Sequence, residues 1–258
     1  MPRSYFPFRA ALLASLVASG PLLSAEPLPL EKKTYAHGAK TLPYRMLSPA
    51  TVDPAKKYPL VIFLHGAGER GADNEKQLVH GVPQFCTKEN REKYPCFLIA
   101  PQCPDKFRWV EVDWSAASHT IPKEPSEPAA LTFELIAKLM KELPIDSKRV
   151  YVTGLSMGGY GTWDLLARKP ELFAAGVPVC GGADEATAEA VKGVPVWAFH
   201  GAKDGVVKPA RSKNMVAALE KAGAKPKYTE YPTVGHDSWN PAYREAEMFA
   251  WLFAQKKD

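Results

Sequence analysis

Gly154-Leu155-Ser156-Met157-Gly158 decides the reading of this chain, because an apolar run enters it and a helical pattern leaves it. Val150-Tyr151-Val152-Thr153 reads as a buried strand, and Gly159-Tyr160-Gly161-Thr162-Trp163-Asp164-Leu165-Leu166-Ala167-Arg168 reads as a helix. A G-x-S-x-G between strand and helix is the setting of a nucleophile elbow. The serine then sits on a strained turn that lifts its hydroxyl clear of the sheet edge. Gly154, Gly158 and Gly159 leave the space such a turn needs.

A hydroxyl is a poor nucleophile at neutral pH, so it needs a base and a group that orients the base. In a strand–elbow–helix protein these follow in the order acid, then histidine. The next apolar run with a turn behind it is Val194-Pro195-Val196-Trp197-Ala198-Phe199-His200-Gly201, leading into Ala202-Lys203-Asp204-Gly205. Lys227-Tyr228-Thr229-Glu230-Tyr231 is the following strand, and Gly235-His236 lies in the loop beyond it. Ser156, Asp204 and His236 are therefore the expected nucleophile, acid and base. Each residue type alone is ordinary in a turn or loop; the order at successive strand ends is what points to chemistry. Asp184, Asp237 and Glu230 compete for the acid's place, with Asp184 second because it follows the strand after the nucleophile helix.

An acyl-transfer serine also needs donors for the oxyanion. The Met157 N–H, next to the serine, is one. Leu60-Val61-Ile62-Phe63-Leu64-His65-Gly66-Ala67-Gly68 is an apolar strand running into a glycine-rich turn, and the Ala67 N–H is the expected second donor. His65 reads as a brace for that loop.

Leu64-His65-Gly66-Ala67-Gly68-Glu69-Arg70-Gly71, Gly154-Leu155-Ser156-Met157-Gly158-Gly159, His200-Gly201-Ala202-Lys203-Asp204 and Gly235-His236 together resemble the α/β-hydrolase superfamily. Within it the chain is similar to the bacterial carboxylesterase and "predicted peptidase" group. That group is related to polyhydroxybutyrate depolymerases, feruloyl and acetylxylan esterases and the prolyl oligopeptidase catalytic domain. The likeness runs from about Tyr35 to Gln255. It implies an α/β fold with a mostly parallel eight-stranded sheet flanked by helices, and the triad at the sheet's C-terminal edge. It also implies Ser156, Asp204 and His236 in the roles given above. Substrate does not follow, because relatives cut esters, thioesters and peptides.

The N-terminus reads as a secretory signal over residues 1–25. Arg3 and Arg9 precede the apolar run Ala10–Ala18, and Leu23-Ser24-Ala25 precedes a polar segment. The run is too short to span a bilayer, so the expectation is export to the periplasm or medium, with no stable membrane span after processing. Removing Arg3 and Arg9 lowers the formal charge from +5 to +3. With no basic run, this argues against nucleic acid as a partner. Residues 26–258 fit one α/β catalytic domain, with strand and helix patterns alternating as a covered parallel sheet requires. The oligomeric state has no signature in the sequence.

Cys86, Cys96, Cys103 and Cys180 allow two disulfides in an exported protein, with three connectivities. Cys96 and Cys103 flank an extended strand and are too far apart to pair. Cys86–Cys96, closing a small loop, is the favoured bond. No spacing suggests a metal site, and the triad chemistry calls for no cofactor.

Specificity should come from loops over the C-terminal sheet edge. Arg70 could hold a carboxylate or polar substrate group, with a loop-bracing salt bridge to Glu69, Asp73 or another acid as the plainer role. Gln102, Trp109 and Trp114 follow the strand Phe97-Leu98-Ile99-Ala100, and Trp239 lies three residues past His236. These four are expected substrate contacts, with core filling as the plainer role for each tryptophan. Trp114 to Ala130 is proline-rich and polar and holds no lid-helix pattern, so an open, shallow cleft is expected. That disfavours long-chain triglycerides and favours short-acyl or polysaccharide-linked ester substrates. Serine peptidase, phospholipase or thioesterase activity is the alternative. A catalytically silent binding module is the remote one, since all three triad residues are present.

Overall fold

The computed structural model describes residues 1–2 and 28–258, so nearly all of the expected signal segment lies outside the described residues. Eight strands form one sheet: β1 Leu30–His37, β2 Lys40–Leu47, β3 Tyr58–Leu64, β4 Phe97–Pro101, β5 Ile145–Leu155, β6 Ala175–Val179, β7 Trp197–Gly201 and β8 Lys227–Tyr231. Their spatial order is β1-β2-β4-β3-β5-β6-β7-β8. β1 and β2 form an antiparallel hairpin, and β2 runs antiparallel to β4. Every other neighbouring pair is parallel. The sheet is the α/β arrangement anticipated from the strand–helix alternation.

Both faces are covered, which is why β3 and β4 read as unbroken apolar runs. Leu60, Ile62 and Leu64 pack on one face with Leu135, Ile136 and Leu139 of the helix Glu127–Glu142 and with Met215 and Leu219 of the helix Ala210–Lys221. Val61 and Phe63 point the other way, against Val82, Phe85, and Met248, Phe249 and Leu252 of the helix Ala246–Ala254. Fully burying one such side chain contributes about 2 kcal/mol. The helix Glu127–Glu142 starts at Ser126, whose hydroxyl accepts from the Ala129 N–H. It stops at Leu143, where the following Pro144 disfavours helical geometry.

Parallel registry aligns the C-terminal strand ends. Leu64 lies opposite Gly154, Leu155 opposite Val179, and Gly201 opposite Tyr231. Four loops therefore leave one edge together: 65–71, the elbow at 156, 202–208 and 232–238.

All four cysteines are free thiols, so the favoured Cys86–Cys96 bond is corrected. Both pack as small apolar side chains in the layer that holds Phe85, Leu98 and Phe249. Burial pushes the Cys96 thiol up to about 12 and the Cys86 thiol to about 11. That keeps both protonated and weakly reactive at neutral pH.

Candidate active site

Ser156 follows the last residue of β5 and caps the helix Met157–Arg168. Its backbone stands at φ 53°, ψ −117°, a region that costs a side-chain-bearing residue about 1–3 kcal/mol. The strain is held by close packing rather than by a flexible turn. A Cβ on Gly158 would lie 1.9 Å from the Leu64 carbonyl oxygen, and one on Gly154 would lie 2.5 Å from the Gly158 oxygen. The two glycines let the elbow's helix start directly against β3.

The loops then bring three side chains into one line. The Ser156 hydroxyl is 2.9 Å from His236 Nε2, and His236 Nδ1 is 2.8 Å from Asp204 Oδ2. A carboxylate oxygen only accepts, so Nδ1 carries the proton and Nε2 is free to accept from the serine. Asp204 Oδ1 accepts from the Val206 and Val207 N–H groups at 2.8 and 2.9 Å. Burial alone would raise the Asp204 carboxyl. The bonds from His200 and His236 and the two backbone amides overcome it and hold the group well below the usual carboxylate range.

The competing acids are engaged elsewhere. Asp184 accepts from the Ile121 and Ala186 N–H groups, Glu230 pairs with Lys213 and Tyr228, and Asp237 accepts from Asn240. Cys180, Asp204 and His236 offer ligand-type atoms within 4.8 Å of one another. Yet Asp204 and His236 already bond each other, and burial pushes the Cys180 thiol up to about 12. This is poor chemistry for a cation.

Ser156 and His236 open on a cleft of about 220 Å³ that Ala67, Met157, Trp114 and Trp239 also line. Ala67 starts the 3₁₀ turn Ala67–Glu69, and Met157 starts its helix, so both N–H groups are first-turn amides without a partner inside their own element. Both belong to the wall beside the serine. Trp239 packs edge-on against His236, with centroids 5.3 Å apart.

Three expected contacts lie elsewhere and are corrected. Trp109 is fully buried and its Nε1 donates to the His65 carbonyl at 3.0 Å, so it fills core beneath the loop that follows β3. Gln102 is also fully buried; its Oε1 accepts from the Asn74 N–H, and its Nε2 donates to the Glu69 carbonyl and Asp73. Arg70 donates to the backbone carbonyls of Ala67 and Asp105, so it braces the loop through carbonyls instead of through the expected carboxylate. The chain just after β4, residues 102–109, packs under the loop following β3, and the segment reaches the cleft only at Trp114. His65 acts as a strut: Nδ1 donates to Gly66 O at 2.6 Å, and Nε2 accepts from the Cys103 N–H at 2.9 Å.

Sequence reasoning missed Glu69, His80, Tyr160, Val206 and Val207, all on the cleft wall. It also missed His200 as a partner of Asp204, at 3.2 Å. For His200 a signal existed, since it stands four residues before the acid at the end of an apolar strand.

The chain matches the Phospholipase/Carboxylesterase family over residues 48–251. It belongs to that family. This phospholipase/carboxylesterase-family chain superposes on a thermostable esterase with a TM-score of 0.82 at 39% identity, covering 89% of this chain and 64% of the other. It is 25% identical to the "Probable carboxylesterase SOBER1-like" of Arabidopsis thaliana, covering 74% of this chain and 77% of that protein. A 74-residue stretch is 35% identical to the "Bifunctional acetylxylan esterase/xylanase XynS20E" of Neocallimastix patriciarum, covering 29% of this chain and 11% of that protein. The family member described here thus spans less than two thirds of two of these three relatives. It carries the α/β-hydrolase fold of that family.

Proposed function

We propose that this protein is an exported serine carboxylesterase acting on short-acyl or carbohydrate-linked esters through Ser156, His236 and Asp204. The observation that carries the reading is the unbroken relay from the Ser156 hydroxyl through His236 to Asp204, at 2.9 and 2.8 Å, opening on a small cleft.

The Ser156 oxygen attacks the ester carbonyl carbon while His236 Nε2 takes its proton. Asp204 holds the imidazole's tautomer and faces the positive charge that forms. The oxyanion lies toward the Met157 and Ala67 N–H groups, which cost no reorganisation because their elements leave them free. Collapse breaks the bond to the alcohol, which leaves with the proton from His236. Water then repeats the sequence on the acyl-enzyme and restores the serine.

The cleft's size supports short acyl groups, with Trp114, Tyr160, Val206, Val207 and Trp239 closing it in. No helix forms between Glu111 and Ser126, where a lid would have to sit. The acetylxylan esterase likeness supports a carbohydrate-linked ester over a free lipid. The basic, apolar, small-residue pattern of residues 1–25 supports export of a catalytic domain formed by residues 26–258. No described helix is long and apolar enough to cross a membrane.

The test is a ladder of p-nitrophenyl esters from acetate to palmitate, with methyl ferulate and acetylated xylan, using Ser156→Ala as control. Turnover confined to short or carbohydrate-linked acyl groups, with kcat lowered by about 10⁴-fold in the variant, is the expected outcome. Inactivity on every ester, with a fluorophosphonate still attached at Ser156, would move the assignment to peptides.

A further inference from the structure

Glu69 and His80 face each other across the wall of the catalytic cleft without bonding. Glu69 Oε1 and His80 Nε2 stand 3.9 Å apart, beyond hydrogen-bond reach. Both residues line the space that Ser156 and His236 open on. Glu69 is held rigidly: it ends the turn Ala67–Glu69, and Gln102 Nε2 donates to its carbonyl at 3.1 Å. Its side chain is only 15% exposed, and its inner oxygen Oε2 is buried with no partner among the described residues. His80 is held too, its ring 5.3 Å from that of Trp239, which in turn packs on His236. Oε2 lies inward against Gly66, and Oε1 is the oxygen turned toward His80. Glu69 sits on the same short turn as the Ala67 N–H.

Resting on the esterase reading above, we propose that Glu69 and His80 form a hydroxyl-recognising subsite. A single substrate hydroxyl placed between them donates its hydrogen to Glu69 Oε1 and accepts from His80 Nε2. An oxygen at ordinary hydrogen-bond length from each atom, about 2.8 Å, spans the gap. A carboxylate there repels an anionic substrate group, and a hydroxyl uses both partners with complementary roles. The substrate class is therefore a neutral ester that carries a free hydroxyl beyond the scissile bond. The hydroxyl can come from the alcohol side, as on a sugar ring, or from the acyl side, as on a phenolic acid.

Two matched pairs of esters separate those sources. Trans-2-hydroxycyclohexyl acetate against cyclohexyl acetate probes the alcohol side, and methyl 4-hydroxycinnamate against methyl cinnamate probes the acyl side. Wild-type protein is expected to favour the hydroxylated member of one pair by about tenfold or more in kcat/KM, as hydrogen bonds to a charged group allow. Glu69→Gln and His80→Phe are each expected to bring that ratio to within about twofold of one, chiefly through KM. The phenyl ring of the second variant keeps the packing on Trp239, so the test survives if the first fails to fold. Equal rates on both members of both pairs, or a preference that outlasts both substitutions, overturns the subsite and leaves water as the gap's occupant. Wild-type protein inert toward all four esters overturns the esterase reading and the subsite together.

Discussion

His200 and His236 share one oxygen atom of Asp204. His236 Nδ1 donates to Oδ2 at 2.8 Å, and His200 Nε2 approaches the same atom at 3.2 Å while bonding the Val207 carbonyl at 2.9 Å. Because a carbonyl only accepts, His200 Nε2 carries a proton and turns a positive dipole end toward the carboxylate. His200 thus draws off part of the negative charge that Asp204 would otherwise direct at His236. His200→Leu is expected to lower kcat/KM by about 10–100-fold, the loss typical of one hydrogen bond to a charged group. His200→Gln, which keeps a donor, should recover much of that loss. The kcat/KM of the two variants on p-nitrophenyl acetate decides it; equal losses in both would count against the hydrogen-bond argument.

His65 predicts how stability responds to acid. Burial pushes its imidazole down from 6.5 to about 4. Between those values the unfolded chain carries a proton that the folded chain lacks. Stability from this group is therefore complete above about pH 6.5 and is lost as pH falls to about 4. At about 1.4 kcal/mol per pH unit, the loss approaches 3 kcal/mol. The sign has a structural cause, because protonated Nε2 can no longer accept from the Cys103 N–H. His65→Gln can make both bonds without titrating, so its urea midpoint should fall less over the same range. His119, lowered to about 4 by burial and by Arg211, contributes a further slope that this substitution leaves in place.

Gly158 tests the packing of the elbow. A methyl group there meets the Leu64 backbone at 1.9 Å, and neither β3 nor the helix can yield without moving the serine. Gly158→Ala should cost about 3 kcal/mol or more in thermal or urea denaturation, at the upper end for overpacking. Gly193→Ala, with nothing within 4 Å of the added Cβ, should sit within about 0.5 kcal/mol of wild type. Similar costs for both would mean that the tight approach is relieved more easily than the backbone geometry indicates.

The Ser156–His236–Asp204 juxtaposition was legible because each member follows a strand of its own, and parallel registry brings those strand ends together. Ser156, Asp204 and His236 needed only chain order and the strand pattern. Trp109 and Gln102 misled for the converse reason. A loop after a strand end is placed at the correct edge by the sequence, yet whether it rises over the cleft or folds beneath a neighbour depends on packing between distant segments. Trp109 goes under because the His65 carbonyl receives its N–H. Glu69 and His80 were invisible as a pair, since no periodicity links two loop residues that meet only across a cleft. The cysteines show a further limit. Loop length made Cys86–Cys96 the reasonable bond, while the apolar layer around both supplies a different use for them.

A last consequence concerns light rather than chemistry. Trp239 lies edge-on to His236, 5.3 Å between centroids and 88° between planes. Trp239 also lines the cleft, so its emission should change when a molecule occupies the space beside Ser156. Subtracting the emission of Trp239→Phe from that of the intact protein should isolate its contribution. No change on reaction with a fluorophosphonate would put the indole out of reach of whatever fills the cleft. The ring that walls the cleft is therefore also a built-in optical gauge of its occupancy.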